Sequence, residues 1–216
     1  YGNVITVTRY DDQSIEVEDF GRGCPVDWNQ KENRFNWELV FCELYAGGKY
    51  NNDEGSDYEY SLGLNGLGTC ATQYASEYMD ATVWRDGFEY NLHFRKGSIK
   101  GKMTKEPSSR KQTGTLIKWR PDIEVFTDIN IPAEYFIETI RRQAVVNAGV
   151  TFRFLDQQGK SFVTTEFCYK NGIMDYVAEL VGDKGLTAPH FIESERRGRD
   201  RADKPEYKVS MSAAFC

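Results

Sequence analysis

Two short stretches of this chain carry residues whose types and spacing could do chemistry. The first is Asp19-Phe20-Gly21-Arg22-Gly23-Cys24-Pro25, a carboxylate followed by two glycines that flank an arginine, then a proline. An Asp just past a strand can accept a hydrogen bond from a heterocycle's exocyclic amine, while Gly21 and Gly23 remove side chains so that a flat ring approaches the backbone. The second runs from Ser61 to Thr72, where Gly63, Gly66 and Gly68 precede a helix-compatible run, Ala71 to Met79. Backbone N–H groups gather at such a helix N-terminus and favour an anion, which makes the stretch a candidate phosphate cradle. Its order, G-x-x-G-x-G, is not the dinucleotide fingerprint, and no P-loop pattern occurs in the chain. Taken singly, the two stretches also read as an Asp-Gly turn with a surface arginine and as a glycine-rich loop ending in a helix cap.

Weaker candidates lie between and after them. Lys49 follows Gly47-Gly48 and could reach a polyphosphate, or could be solvated beyond a helix end. Residues 50–60, polar in composition and containing Tyr58, suggest a lid that orders over ligand, with functionless disorder as the competing reading. Thr113 and Thr115 open a strand and could face a ligand, or be ordinary β residues.

The elements that must position these groups are readable from periodicity. Residues 3 to 18 alternate as a hairpin. Trp37, Val40, Phe41, Leu44 and Tyr45 share one face of a helix over Asn33 to Tyr45, closed by Gly47-Gly48. Ala81 to Arg85 and Phe88 to Arg95 flank Asp86-Gly87, a strong hairpin signal. Lys96 to Gln112 reads as a polar, basic connection, and Thr113 to Trp119 as a strand. Pro132 starts a helix with Phe136, Ile137, Ile140, Ala144 and Val145 on one face, closed by Gly149. A further hairpin joins Val150–Phe154 to Ser161–Cys168, and a short helix follows from Ile173 to Val181. After Gly182 the composition changes, and the alternating strand Tyr207 to Phe215 stands without a sheet, which implies a second domain. Arginines from Arg196 to Arg201 read as a solvated loop or a DNA contact. Hairpins separated by helices give an α+β class, a mostly antiparallel sheet with helices on one face.

Composition bounds the function. At 216 residues with 40% hydrophobic and 28% charged content, the chain is long enough for one full core or the start of another. A net charge of −6 argues against non-specific DNA binding by this chain alone. Five cysteines, odd in number and widely spaced, fit reduced cytosolic thiols, and with two histidines and no C-x-x-C a zinc site is not expected. No apolar run approaches the roughly 20 residues of a membrane span, and a cytoplasmic location is expected. The first residue, Tyr1, is not Met, so the chain reads as a piece of something longer.

The motifs, taken in order, resemble the ATPase region of the B subunits of bacterial type II DNA topoisomerases, gyrase and topoisomerase IV, within the GHKL superfamily. Asp19-Phe20-Gly21-Arg22-Gly23-Cys24-Pro25 is similar to that family's D-x-G-R-G-I-P, Ala46-Gly47-Gly48-Lys49 to its A-G-G-K, Gly63-Leu64-Asn65-Gly66-Leu67-Gly68 to its G-L-H-G-V-G, and Thr113-Gly114-Thr115 to its T-G-T. Asn147-Ala148-Gly149-Val150 is similar to its N-S-G-V. The resemblance implies a GHKL α/β sandwich over residues 1–181, followed by the start of a ribosomal-protein-S5-like transducer domain over 182–216. It implies that Asp19 hydrogen-bonds the adenine amine, that Thr115 helps through a shared water, and that Tyr58 contacts the ring. Gly47, Gly48, Lys49 and the backbone of Asn65, Gly66, Leu67 and Gly68 would hold the phosphates. Gly21, Arg22, Gly23 and Pro25 would border the pocket, with Arg85 at its mouth. ATP and Mg2+ are the implied cofactors. DNA, a cleavage (A-type) subunit and a second copy of the protein on ATP binding are the implied partners, with no membrane. The family's general base and magnesium-ligating asparagine would precede Tyr1, and its transducer lysine would follow Cys216, so these 216 residues alone would hydrolyse nothing. Asn65 stands in place of the usual bacterial histidine, Leu62 of a glycine, and Phe20 of a second acidic residue. A nucleotide-dependent clamp or chaperone-type module of the same superfamily, which cuts no DNA, is the alternative.

Overall fold

The computed structural model describes residues 2–45, 66–199, 201 and 206–216. In chain order the strands and helices are β1 (Val4–Arg9), β2 (Ile15–Asp19), β3 (Trp28–Asn29), β4 (Arg34–Phe35), α1 (Asn36–Cys42), α2 (Gly68–Tyr74), β5 (Ser76–Arg85), β6 (Phe88–Arg95), β7 (Ser98–Ile99), β8 (Thr104–Pro107), β9 (Gly114–Pro121), α3 (Ala133–Val146), β10 (Thr151–Gln158), β11 (Ser161–Phe167), α4 (Ile173–Val181), β12 (His190–Gly198) and β13 (Tyr207–Phe215). The main sheet runs β11-β10-β1-β2-β9-β5-β6-β7, with β8 also paired to β6. Its pairs are antiparallel except β1 with β10, which is parallel. The α+β class with a mostly antiparallel sheet holds.

Register makes one face apolar. Because side chains alternate across a strand, residues opposite one another line the same face. One row reads Phe152, Ile5, Asp19, Thr115, Val83, Tyr90 across six strands. The next reads Phe154, Val7, Val17, Ile117, Ala81, Leu92, and a third Asp156, Arg9, Ile15, Trp119, Met79, Phe94. Helices pack on this face from two sides. Phe41 of α1 lies on Phe94 with ring centroids 5.5 Å apart, inside a core of Val26, Met79, Ala81, Val83 and Leu92. Phe136 of α3 stacks on Phe154 at 5.4 Å, inside a second core with Ile140, Ala144 and Phe152. The charged third-row pair is neutralised internally, since Arg9 Nε bonds Asp156 Oδ1 at 2.7 Å and its Nη1 donates to the Ile131 carbonyl at 2.6 Å. The reverse face is polar, held by pairs such as Asp80–His93 at 2.9 Å and Thr82–Asn91 at 2.8 Å.

Several sequence expectations need correction. The helix expected to Met79 stops at Tyr74, and Ser76 to Arg85 is one long strand paired on both sides. Two sets of ladder hydrogen bonds and the inward alternation of Met79, Ala81 and Val83 outweigh helix propensity there. The helix expected over Asn33 to Tyr45 is confined to α1, with Leu44 and Tyr45 exposed and Glu43 extended. Arg34 and Phe35 instead pair with Trp28 and Asn29, where the Trp28 and Phe35 rings meet edge to face at 5.0 Å. The connection from Lys96 to Gln112 contains β7 and β8, both paired to β6. Tyr207–Phe215 does have a partner, because Phe191 and the first arginines belong to β12, which pairs with it residue for residue. The Asp86-Gly87 hairpin stands, with φ of 54° and 78° at its two turn residues.

The first core supplies a direct check of this packing. Phe41→Ala removes a wholly buried ring beneath α1 and is expected to lower unfolding free energy by about 3–5 kcal/mol, read as a shift of the urea midpoint.

Candidate functional site

Between the two helix-covered cores, the first row of the sheet holds two polar residues, Asp19 and Thr115, in place of apolar ones. They stand opposite one another in the β2–β9 ladder, which leaves no room for a side chain at Gly114. A Cβ at Gly114 would stand 2.2 Å from the Asp19 carbonyl oxygen, so only glycine lets the two strands meet there. The glycine between two threonines is therefore the residue that sets Thr115 opposite Asp19.

The turn after Asp19 is built by the same economy of side chains. The Gly21 N–H donates to Asp19 Oδ1 at 2.7 Å, and a Cβ on Gly21 would lie 2.9 Å from that oxygen. Gly23 has φ of +79°, and a Cβ there would lie 2.7 Å from the Trp84 carbonyl. Thr113 Oγ1 donates to the Gly21 carbonyl at 2.5 Å, a structural role that nothing local in the sequence signals. The Cys24 N–H donates to Thr115 Oγ1 at 3.0 Å, while the Thr115 hydroxyl and backbone N–H serve the Asp19 carboxylate. Arg85 reaches in from the end of β5, its Nη1 donating to the Gly23 carbonyl at 3.4 Å and its Nε pairing with Asp86 at 3.1 Å. Pro25 follows on the same turn, and Arg22 is exposed upon it.

Charge and burial oppose each other at Asp19. Desolvation pushes its carboxyl above the ordinary value of 3.8, and the hydrogen bonds from Gly21 and Thr115 pull the other way without cancelling it. Burial likewise pushes the Cys24 thiol up to about 12, so it is a neutral apolar lining group and not a nucleophile.

The glycine-rich loop is described from Gly66 onward. Gly66 has φ of +58°, Leu67 precedes the helix, and the Ala71 N–H closes the first turn on the Leu67 carbonyl at 2.8 Å. A Cβ on Gly68 would meet no described atom within 4 Å. α2 packs on α1, and α1 lies on the same sheet face as Asp19. Asp19, Gly21, Gly23, Cys24, Arg85 and Thr115 are thus directly connected, and Gly66, Leu67 and Gly68 stand on the same side of the sheet. Gly47, Gly48, Lys49, Tyr58 and Asn65 lie outside the described residues. Among the described residues no group of three or more His, Cys, Asp or Glu could hold a metal ion, and no helix is long and apolar enough to cross a membrane.

The chain is similar to known proteins. The chain is 34% identical over 206 residues, 95% of its length, to the DNA gyrase B subunit of Synechocystis sp., and spans 18% of that protein. It is 33% identical over 178 residues, 82% of its length, to the DNA topoisomerase 4 B subunit of Salmonella typhimurium, and spans 28% of that protein. Its fold superposes with a TM-score of 0.71 on the 43K ATPase domain of Thermus thermophilus gyrase B, solved in complex with an aminocoumarin, at 24% identity, covering 93% of this chain and 49% of that one. No family model matches the chain.

Two outcomes follow from the site geometry. Gly114→Ala is expected to cost about 1–3 kcal/mol or more through the forced separation of β2 and β9, whereas Gly68→Ala stays within about 0.5 kcal/mol, both read by chemical denaturation. For Asp19, a raised folded-state pKa means that the folded protein holds the proton longer than the unfolded chain. Stability relative to Asp19→Asn is therefore fully present below the ordinary value of 3.8 and is lost as pH rises through the raised one. Thermal melts of both proteins from pH 3 to pH 7 check the sign.

Proposed function

Since this chain belongs to the family of B subunits of bacterial type II DNA topoisomerases, we propose that it is their ATP-binding region and that Asp19 reads the adenine base. The observation that carries this reading is a half-buried carboxylate set among apolar rows, with Gly21 and Thr115 holding it in place. A carboxylate desolvated this way gains from an amine donor that replaces lost water, and the side-chain-free turn at Gly21 and Gly23 leaves room for a planar ring. Thr115 would share a water with Asp19 and the base.

The phosphates would extend from this point toward the start of α2, where Gly66, Leu67 and Gly68 would offer backbone N–H groups. Gly47, Gly48, Lys49 and Asn65 would complete the phosphate contacts, and Tyr58 would approach the ring. Arg22, Pro25 and Arg85 would border the entrance. Magnesium would accompany the phosphates, held in part by their oxygens. In this reading Asp19 contacts the adenine and is not the general base of hydrolysis. That base and the magnesium ligand would come from chain preceding Tyr1, so these residues alone would bind nucleotide without turning it over.

In the whole protein, ATP binding would dimerise this region as a gate during DNA strand passage by a complex with the cleavage subunit, with hydrolysis resetting it. Residues 1–181 would form the nucleotide-binding domain and 182–216 the start of the transducer. Calorimetric titration with ATP checks the base-reading role. Asp19→Asn is expected to weaken binding by at least about tenfold, the equivalent of about 1.4 kcal/mol, and undiminished affinity would refute the assignment. Gly68→Ala, neutral for folding, is expected to weaken ATP more than adenosine, because it obstructs only the phosphates.

A further inference from the structure

The alternation of β2 that turns Asp19 toward the helix face turns both of its neighbours, Glu18 and Phe20, to the reverse face. On β5, Arg85 likewise has Trp84 on that reverse side. One side chain binds all three. Arg110 Nη2 pairs with Glu18 Oε1 at 3.0 Å, and its guanidinium carbon lies 3.7 Å from the centre of the Trp84 ring and 5.2 Å from that of Phe20. A planar cation of fixed charge can do this, because it stacks on aromatic faces while its edge donates to a carboxylate.

The clamp is itself braced. Trp84 Nε1 donates to Glu89 Oε2 at 2.8 Å, fixing the ring, and the nearby Arg110 charge adds to the hydrogen bonds that hold the Glu89 carboxyl below its ordinary range. The segment carrying Arg110 is tied at both ends. Ser108 N–H donates to the Gly87 carbonyl at 2.9 Å, and three residues beyond Arg110 the Thr113 hydroxyl holds the Gly21 carbonyl. Trp84 stands opposite Gly114 in the ladder, and its carbonyl is the atom against which Gly23 packs. Arg110 thus grips from behind the strand ends whose front sides carry Asp19, Thr115 and Arg85.

We propose that Arg110 is a positioning residue for the nucleotide site, holding the Asp19 carboxylate and the Gly21–Gly23 turn in register from the opposite face of the sheet. Its effect on nucleotide rests on the reading of Asp19 as the adenine contact; its effect on the turn does not. The two are separated by two measurements on the same variants. Hydrogen exchange at the Gly21 amide, bonded to Asp19 Oδ1, is expected to quicken at least tenfold in Arg110→Ala, with the Leu92 amide in the β6 core unchanged and Arg110→Lys intermediate. Equal exchange at Gly21 and Leu92 in the wild type and Arg110→Ala overturns the proposal, as does a uniform rise at both, which marks general destabilisation. Titration with ATP and with inosine triphosphate, which lacks the amine, then reads the site. The preference for ATP is expected to fall at least fivefold in Arg110→Ala, with most of it restored in Arg110→Lys. A wild type without that preference refutes the adenine reading, while the Gly21 exchange still decides the clamp; a wild-type preference kept intact in Arg110→Ala overturns the clamp's role in recognition.

Discussion

The close passage of β2 against β9 at Gly114 is the constraint on which the site depends. With no Cβ between them, the Asp19 carbonyl and the Gly114 backbone come together, and the register that follows sets Asp19 opposite Thr115. From that register come the hydroxyl and N–H that serve the carboxylate, and the Thr113 hydroxyl that holds the Gly21 carbonyl. Slipping β2 by one residue would exchange its two faces, sending Asp19 to the reverse side and turning Glu18 and Glu16 toward the apolar rows.

The sheet divides its chemistry between two faces. On one, apolar rows accept α1 and α2 at one side and α3 with α4 at the other, and the polar pair lies where neither core reaches. On the other, ion pairs and stacked cations hold the strands from behind, as Lys118 does over Tyr10 at 3.8 Å and Arg110 does over Trp84. Exposed ion pairs contribute little to stability singly, but the Arg110 cluster is half-buried and gathers residues from separate parts of the chain at the edge of the site. A buried carboxylate is costly to the fold, and the hydrogen bonds that reach Asp19 only partly offset its desolvation. Perturbed carboxylates of this kind cluster at functional sites.

Phe20 shows how a departure from the family pattern is absorbed. It takes a place the resemblance assigns to an acidic residue, yet its side chain faces away from Asp19, under the Arg110 guanidinium. An aromatic ring there trades a charge pair for a stacked cation and leaves the front of the strand unchanged. The match to gyrase and topoisomerase IV B subunits at about a third identity is consistent with such substitutions on the reverse face.

The hairpins, the α3 face and the turn at Asp86-Gly87 were legible in the sequence because period and turn chemistry are local. The D-x-G-R-G-C-P and G-x-x-G-x-G stretches were legible as candidates for the same reason, and their order along the chain was enough to point to a family. Local pattern could not decide Ser76 to Arg85, where strand pairing on two sides overrode helix propensity, nor the pairing of β12 with β13. Neither could it find Arg110, whose three partners are brought together only by folding. What the residues determined alone was which groups could do chemistry; what the tertiary structure decided was which of them meet, because register across a sheet depends on neighbours that are remote in sequence.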